Sequence, residues 1–358
     1  MKAAVYHGAG DIRVEDVPEP TPGPGELLLE VHAAGICGTD VGEWVHGPVL
    51  YAVNGHPVTG HRGPLIPGHE LSGRVVGVGP GVSGLEAGTV VASGAGISCG
   101  ECFQCRAGLT NLCLRYSTVG LQRNGGLAQF CVVPSAICLD VAPYGLDEQV
   151  AALAQPMAIA VHAMRRGRPA PGEDAVVLGA GGIGAFLAYA AARAGARVIA
   201  VDAAPERLEL ARNLGASETL LPEAGVPLAE ALRGRGVLPR VVYEATGSRA
   251  VLEEAIDALL PGGRLCVVGL QTVPVPIHLR RLTLAEVEFI GTNAHVCDVD
   301  LPEALRLLAE RGNAWTDVAP ELLPLADLVS EGIRPMAEGR GARVKTLIDP
   351  WATAARPR

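Results

Sequence analysis

The 358-residue chain contains no run of basic residues, no internal repeat and no low-complexity tract. Lysine occurs only at Lys2 and Lys345, and the formal net charge is −9. This charge balance argues against nucleic acid or an anionic membrane surface as a partner. The most apolar stretch, residues 175–201, is interrupted by glycines and by Arg193 and Arg197, so its composition excludes a membrane span.

The N-terminus lacks a hydrophobic signal region, and the chain has nine cysteines. In a reducing compartment, clustered thiols bind metal more often than they form disulfides. We therefore expect a cytoplasmic protein with a metal site. With 49% hydrophobic and 19% charged residues, the chain is expected to be globular and is long enough for two domains with separate cores.

Residues 175–202 carry the clearest functional pattern, because a buried strand, a glycine-rich turn, a helix and a second buried strand follow one another there. The turn is Gly179-x-Gly181-x-x-Gly184. Its glycines permit a tight turn, a close approach of main-chain N–H groups to a pyrophosphate, and close packing of helix on strand. The N-terminus of the helix favours the anion further. A βαβ unit that binds no nucleotide is the alternative interpretation.

Asp202 lies at the end of the second strand, 18 residues after Gly184. A carboxylate at this position accepts hydrogen bonds from the 2′-hydroxyl of an adenosine ribose and repels a 2′-phosphate. Ala203 and Ala204 place no arginine directly after it, and Arg207 is close in sequence. The pattern therefore favours NAD over NADP.

Four cysteines follow one another with the spacing C-x2-C-x2-C-x7-C, namely Cys99, Cys102, Cys105 and Cys113. Four thiolates this close in sequence can surround one tetrahedral zinc ion. An iron–sulfur cluster uses the same donors and is the alternative, ranked below zinc because the dinucleotide pattern indicates hydride transfer.

The periodicity predicts two kinds of fold within one chain. Short strands separated by Pro and Gly are predicted over residues 1–34, 71–94 and 127–141, and a helix is predicted from Asp147 with a kink or break at Pro156. Over 175–291, strands are predicted at 175–179, 197–202, 218–221, 240–245, 264–269 and 287–291, with helices that include 183–194, 205–213 and 248–259. This alternation predicts a doubly wound, six-stranded parallel sheet. Two amphipathic helices and a last strand, 343–349, are predicted after it.

The order of these motifs resembles that of the zinc-dependent medium-chain alcohol and polyol dehydrogenases. Gly35–Asp40, Gly68–Glu70, the four cysteines and Gly179–Asp202 carry the resemblance, which covers nearly the whole chain. The segment HGP…HPVTGHRGPLIPGHELSG is most similar to the (R,R)-butanediol dehydrogenase branch, and sorbitol dehydrogenases are close to it.

The resemblance implies an α/β chain of two domains. A GroES-like, mainly β catalytic domain comprises residues 1–153, with a structural zinc lobe at 94–116, and residues 295–358. A doubly wound Rossmann domain that binds NAD comprises residues 154–294. A homodimer or homotetramer is the expected assembly, and a small alcohol or ketone is the expected substrate.

Cys37, His69 and Glu70 offer one sulfur, one nitrogen and one oxygen ligand for a second zinc ion. Three protein ligands leave a position open, which is typical of a catalytic zinc site. Zinc there favours loss of the alcohol proton before hydride passes to the nicotinamide. The resemblance assigns the Thr39 hydroxyl to proton relay.

The chain departs from the family pattern at two positions. Gln155 replaces a glutamate that ligates zinc or holds its water in polyol-type members, so we expect a stronger Lewis acid that binds its metal less tightly. Gln155 is then a weak ligand or lies just outside the ligand set. Gly42 replaces a relay histidine, and the nearest candidates to replace it, His46, His56 and Glu43, are interpreted as solvated loop residues.

The remaining residues are assigned by their position in these patterns. The predicted cofactor-binding residues are Gly179, Gly181, Gly182, Ile183, Gly184, Asp202, Arg207, Ala245, Thr246, Val268, Gly269, Leu270, Thr292 and Asn293, those from Ala245 onward at the nicotinamide end by resemblance. Core positions are predicted for Cys131, Cys138, Cys266 and His162, and His295 and Cys297 are interpreted as neighbours of the site without a role.

The expected function is reversible, NAD-linked oxidation of a diol, polyol or sugar-type secondary alcohol to the ketone. A sugar or aminocyclitol dehydrogenase of a specialised pathway is the nearest alternative. A non-catalytic NAD-binding redox sensor and a zinc-free quinone reductase of the same superfamily are alternatives of other kinds, and the intact zinc motifs weigh against both.

Overall fold

The computed structural model describes residues 1–341 and 343–358, which form two compact units. Unit 1 comprises Met1–Ala158 and His295–Arg358, and unit 2 comprises Ile159–Ala294. The chain thus leaves unit 1, builds unit 2 and returns. The functional domains at 1–153, 154–294 and 295–358 stay a prediction.

The strands of unit 1 are short and separated by turns. They are β1 (Lys2–Gly8), β2 (Asp11–Asp16), β3 (Glu26–Gly35), β4 (Glu70–Val78), β5 (Val90–Ser93), β6 (Gly96–Ile97), β7 (Ser117–Thr118), β8 (Phe130–Pro134), β9 (Cys138–Asp140) and, near the C-terminus, β16 (Glu321–Pro324), β17 (Leu347–Asp349) and β18 (Arg356–Pro357). The strands of unit 2 are β10 (Asp174–Leu178), β11 (Arg197–Val201), β12 (Glu218–Leu220), β13 (Val241–Glu244), β14 (Arg264–Val267) and β15 (Glu288–Gly291).

Helices in chain order are α1 (Gly38–His46), α2 (Phe103–Arg106), α3 (Glu148–Ala151), α4 (Ala154–Gly167), α5 (Gly182–Arg193), α6 (Pro205–Asn213), α7 (Leu228–Arg233), α8 (Arg249–Ala258), α9 (Leu279–Leu284), α10 (Cys297–Glu310) and α11 (Arg334–Ala337). Asp147 caps α3 as predicted, since its carboxylate accepts the N–H groups of Gln149 and Val150. The break between α3 and α4 precedes Pro156, which lies in the first turn of α4, where proline is tolerated.

Strand pairing in unit 1 brings distant segments to one point. The main sheet has the order β18-β16-β17-β3-β4-β5-β9, with β8 also paired to β3. At the end of β3, Gly35 pairs with Glu70 of β4 on one side and with Leu347 of β17 on the other. This register places the residues after β3, those before β4 and those before β17 next to one another.

Unit 2 contains a six-stranded parallel sheet with the order β12-β11-β10-β13-β14-β15. Its strands are almost continuously apolar, as expected where helices cover both faces of a parallel sheet. The strand order reverses beside β10, the strand that precedes the glycine-rich turn, and this is where such sheets bind ligands. The predicted fold class and six-stranded sheet are confirmed, with strand bounds within two residues of those predicted.

Three local predictions differ from the structure. Helix α1 and the short helices α7 and α9 were not predicted. Glycines in α1 lower its helix propensity, but Asp40 accepts the Cys37 N–H and caps the helix. The second predicted C-terminal helix is divided into a 3₁₀ turn, a π-helical segment at Leu328–Ile333 and α11.

Candidate active site and cofactor site

Strands β3 and β4 bring three metal-ligand side chains together in unit 1. Cys37 directly precedes α1, and His69 and Glu70 lie at the start of β4, opposite the end of β3. One sulfur, one imidazole nitrogen and one carboxylate oxygen of these residues lie within 4.8 Å of one another. The side chains predicted as catalytic zinc ligands therefore converge.

The electrostatics of this cluster favour a bound cation. His69 and Glu70 are 5% and 1% exposed. Burial opposes a charge on His69, but the Cys37 sulfur and the carboxylates of Asp40 and Glu70 raise its pKa to about 10. Without a metal the imidazole therefore holds a proton at neutral pH. A cluster that attracts positive charge and offers S, N and O donors matches the ligand chemistry of zinc.

A buried lysine approaches the cluster from the C-terminal segment. Lys345 is 4% exposed, and its ammonium forms an ion pair with Glu70 Oε2. It also donates to the main-chain oxygen of Ile36 at 3.3 Å. Sequence reasoning did not find Lys345, since nothing in its local pattern separates it from a surface lysine. Its position two residues before β17 is what carries it to Glu70.

Three other predicted positions lie in the same unit. The Thr39 hydroxyl is 3.7 Å from Cys37 Sγ, and Gln155 is 7% exposed in the first turn of α4. A Cβ atom at Gly42 would meet no heavy atom within 4 Å, so there is space where related enzymes carry a histidine. The interpretation of Glu43 as a solvated loop residue is wrong: it is 3% exposed within α1 and accepts main-chain N–H groups. His46 is exposed, as interpreted, but it is the last residue of α1 and not part of a loop.

The four clustered cysteines converge around a single point. Cys102 Sγ lies 3.5 Å from Cys105 Sγ and 4.0 Å from Cys113 Sγ, and Cys99 Sγ lies 3.9 Å from Cys105 Sγ. Zn–S bonds of about 2.3 Å in a tetrahedron require S–S separations of about 3.8 Å. Main-chain N–H groups of Glu101 and Cys102 lower the pKa of Cys99 to about 6, which favours the thiolate. The geometry fits a zinc ion held by four thiolates.

The glycine-rich turn of unit 2 has the backbone that its sequence requires. Gly179 has φ +91°, and a Cβ atom on Gly184 would lie 1.7 Å from the Gly179 carbonyl oxygen. Gly181 caps the N-terminus of α5, which begins at Gly182 and continues with Ile183. A Cβ atom at Gly181 would find no atom closer than 3.7 Å, so the approach to the helix N-terminus is open. This arrangement suits a phosphate at the start of α5.

A cavity of about 500 Å³ adjoins this turn and is lined by Gly179, Asp202, Arg207, Thr246 and the apolar residues Leu220 and Val226, among others. Asp202 accepts the N–H groups of Ala180 at 2.7 Å and Ala204 at 2.9 Å. These bonds fix the carboxylate, and Arg207 Nη1 is 3.8 Å from it. The structure thus places Asp202 and Arg207 beside a cavity with an apolar wall.

Glu244, which sequence reasoning missed, organises the loops predicted at the nicotinamide end. It is fully buried at the end of β13 and accepts the N–H groups of Thr246 at 2.7 Å and Gly247 at 3.0 Å. Its carbonyl oxygen accepts the N–H groups of Val268 and Gly269, both at 2.8 Å. An acid ending a buried strand is a pattern that could have identified it.

The other predicted residues occupy a range of environments. Ala245 and Thr246 follow β13, Leu270 is 76% exposed, and the Thr292 hydroxyl donates to the Val267 carbonyl at 3.4 Å, with Asn293 next to it. Cys131, Cys138, Cys266 and His162 are buried. His295 is buried with Nε2 2.7 Å from the Gly94 carbonyl oxygen, and Cys297 begins α10.

Two protein families match segments of this chain. The alcohol dehydrogenase GroES-like domain matches residues 23–143, and the zinc-binding dehydrogenase family matches residues 182–310. (R,R)-butanediol dehydrogenase of Neisseria gonorrhoeae is 31% identical over 98% of this chain and 99% of its own. Human sorbitol dehydrogenase is 32% identical over 97% and 95%.

A solved structure of a dehydrogenase has the same fold as this chain over nearly its whole length. The 2R,3R-butanediol dehydrogenase of Bacillus subtilis superposes with a TM-score of 0.88 at 30% identity, covering 98% of this chain and 99% of that protein. Among the described residues, the structure has no helix whose length and apolar character would let it cross a membrane.

Proposed function

Because the chain belongs to the zinc-binding dehydrogenases with an alcohol dehydrogenase GroES-like domain, we propose that Cys37, His69 and Glu70 hold the zinc ion at which its substrate reacts. The protein is an NAD-linked dehydrogenase that converts a secondary alcohol of the diol or polyol type to the ketone. The observation that carries the proposal is the convergence of three different donor atoms within 4.8 Å.

Three protein donors leave one position for the substrate oxygen. When bound, zinc supplies a Lewis acid that favours loss of the alcohol proton, and NAD accepts the hydride. Cys37 and Glu70 contribute negative charge, and Lys345 offsets part of it through its ion pair with Glu70. The Cys37 thiolate, the Glu70 carboxylate and the Lys345 ammonium together carry one negative charge, which offsets half of the charge of the dication.

In this proposal the Thr39 hydroxyl takes the substrate proton. Its hydroxyl lies 3.7 Å from Cys37 Sγ, on the first turn of α1, and would therefore be close to a zinc ion held by Cys37. Gly42, one turn further along α1, supplies no titratable group, and the space beside it admits water. The relay therefore passes from Thr39 to solvent.

Cys99, Cys102, Cys105 and Cys113 hold a structural zinc ion in this proposal. All four coordination positions are filled by thiolates, which leaves none for a substrate. The sulfur separations of 3.5–4.0 Å support that role.

NAD binding is assigned to unit 2. The N-terminus of α5 would hold its pyrophosphate, and Asp202 would accept a hydrogen bond from the ribose 2′-hydroxyl, since its carboxylate retains acceptor sites beyond its two main-chain bonds. A 2′-phosphate would face that carboxylate. Residues 245–246, 268–270 and 292–293 border the nicotinamide end.

The proposal includes a cytoplasmic homodimer or homotetramer. Edge strand β15 exposes Phe289 to 43%, and α9 exposes Leu279 and Leu284 to 70% and 73%. An exposed sheet edge beside apolar side chains favours self-association. Light scattering on the purified protein measures the assembly, and fractionation of its source cells tests the location.

A substrate screen tests the function. Diols, polyols and aldoses are offered with NAD, NADH formation is followed by absorbance, and zinc per chain is measured in parallel. We expect turnover of a secondary diol or polyol that is lost on removal of the catalytic zinc. Tight NADH binding with no turnover across the panel would indicate a redox sensor, and zinc-independent reduction of quinones would indicate a reductase instead.

A further inference from the structure

Helix α1 carries two buried carboxylates that the proposed chemistry does not use. Asp40 is 0% exposed and Glu43 is 3% exposed. They are three residues apart, so they lie on the same face of the helix. Both accept hydrogen bonds from one residue of the following segment, Tyr51, one through its side chain and the other through its main chain.

Glu43 fixes the path of that segment. Its carboxylate accepts the N–H groups of Val49 at 3.0 Å, Leu50 at 2.5 Å and Tyr51 at 3.3 Å. The turn between them is close, because a Cβ atom on Gly47 would lie 2.4 Å from the Glu43 carbonyl oxygen. The main chain of Tyr51 is therefore held against α1.

The Tyr51 ring is buried against a second aromatic ring. It is 3% exposed and contacts the Tyr6 ring edge to face, with centroids 4.8 Å apart and an interplanar angle of 86°. The Tyr6 hydroxyl donates to the Glu43 carbonyl oxygen at 3.1 Å, whereas the Tyr51 hydroxyl donates to Asp40 Oδ1 at 2.8 Å. The two tyrosines thus share a packing environment but have different acceptors.

Asp40 contacts two of the three candidate zinc ligands. Its Oδ2 accepts the Cys37 N–H at 2.9 Å, and its Oδ1 lies 3.8 Å from His69 Nδ1. The oxygen that receives the Tyr51 hydroxyl is therefore the oxygen that faces His69. At 3.8 Å this contact is an ion pair and not a hydrogen bond, so the Asp40 carboxylate acts on the imidazole through its negative charge.

We propose that Tyr51 is a positioning residue for the catalytic zinc, because its hydroxyl holds Asp40 in the orientation that supports Cys37 and His69. This inference rests on the proposed function, since it requires zinc at Cys37, His69 and Glu70. Without the hydroxyl, a buried carboxylate oxygen loses a donor and turns away from His69. The segment at 49–51 is then no longer linked to the metal site through the hydrogen bond between Tyr51 and Asp40.

Zinc release to an excess of a chromophoric chelator, without substrate, tests this role in the full-length holoenzyme. We expect Tyr51→Phe to lose its catalytic zinc about tenfold faster than the wild type, a size typical of partners just outside a metal's ligands. Tyr6→Phe is the matched control, because it removes a hydroxyl from the same ring pair without touching Asp40. Its release rate should change by less than about twofold. The zinc held by the four cysteines should leave at the same rate in both variants, and this unchanged rate would show that the fold is intact.

A double-mutant cycle and a spectrum separate positioning from packing. If Tyr51 acts through Asp40, adding Tyr51→Phe to Asp40→Asn should change zinc release by less than about twofold. The absorption bands of cobalt at the catalytic site should shift in Tyr51→Phe and stay unchanged in Tyr6→Phe.

Equal release from Tyr51→Phe and Tyr6→Phe, or additive effects in the cycle, would overturn the inference. If Tyr51→Phe also loses zinc from the cysteine cluster, Asp40→Asn decides, because it leaves the Tyr51 ring in place. Faster loss of only the catalytic zinc then supports the role, and unchanged loss contradicts it. A wild-type protein that holds zinc only at the four cysteines would contradict the proposed function instead.

Discussion

The two candidate metal sites of this chain are built in opposite ways. The four-cysteine cluster takes every donor from residues 99–113. The catalytic cluster takes Cys37 from the start of α1 and His69 and Glu70 from the start of β4, with Lys345 added from the C-terminal segment. The first is a local structure, whereas the second exists only when the main sheet of unit 1 has formed.

The difference also appears in charge. In the cysteine cluster, local N–H groups lower the pKa of Cys99 to about 6, whereas burial and the neighbouring thiols raise the pKa of Cys105 to about 11. At the catalytic cluster, buried acids and a buried lysine surround the imidazole. We infer that the cysteine cluster serves stability with its coordination complete, while the catalytic cluster keeps an open position and depends on charges from elsewhere in the fold.

The largest expected effect comes from removing a donor of the catalytic cluster. His69→Ala should reduce kcat/KM by roughly a thousandfold or more, because the Lewis acid is lost while the fold remains. Zinc analysis should find one ion per chain in place of two. Cys102→Ser is the contrasting variant, and it should lower the melting temperature more than His69→Ala does. Full activity of zinc-depleted His69→Ala would contradict the site assignment.

The buried lysine should matter most when metal is absent. In the zinc-free protein, Lys345→Met removes the ion-pair partner of the buried Glu70 carboxylate and leaves it only the protonated His69 imidazole, so the loss of unfolding free energy should approach the about 3–5 kcal/mol of a broken buried pair without exceeding it. Bound zinc compensates the same carboxylate, so the loss should be much smaller in the holoenzyme. Denaturant unfolding with and without zinc measures both values, and Lys345→Arg serves as a charge-retaining control. Equal destabilisation in the two forms would show that Lys345 does not share Glu70 with the metal.

Gln155 tests how many anionic donors the catalytic cluster needs. Gln155→Glu should tighten zinc binding about tenfold and lower kcat, because a further negative charge weakens the Lewis acid. Competition with a chelator gives the affinity, and Gln155→Ala controls for loss of the amide. If zinc affinity and activity are unchanged in Gln155→Glu, the side chain has no role at the metal.

The stability of the metal-free protein should also depend on pH. The pKa of His69 in the folded, metal-free protein is raised from 6.5 to about 10, so the folded form binds a proton more tightly than the unfolded chain. This contribution to stability is fully present below pH 6.5 and is lost as pH rises through 10. Unfolding of the metal-free protein between these values should show the loss, and His69→Gln should not. Zinc displaces the proton and should remove the dependence, so a pH dependence that persists with zinc would argue that His69 is not a ligand.

The contrast between the clusters also explains what could be predicted from the sequence. The cysteine spacing and Gly179–Asp202 are local patterns whose chemistry follows from short-range geometry, and the six-stranded sheet follows from its periodicity. Lys345, Tyr51 and Glu43 act through contacts with residues distant in sequence or in a segment without regular structure. Their positions depend on the register of the strands and on the hydrogen bonds that hold residues 49–51 against α1, so no local pattern identifies them. Glu43 shows this most clearly. Its sequence context predicts an exposed side chain, whereas in the structure it is 3% exposed and accepts main-chain N–H groups of residues 49–51.

The most direct test of this account is zinc release from the wild-type holoenzyme, followed together with NADH formation from a secondary diol. We predict two zinc ions per chain that leave in two phases, with activity lost in the phase assigned to Cys37, His69 and Glu70 and restored by adding zinc. The second phase, from the four cysteines, should instead accompany loss of structure. A single zinc ion per chain, or activity that survives the first phase, would contradict the division between a catalytic and a structural site.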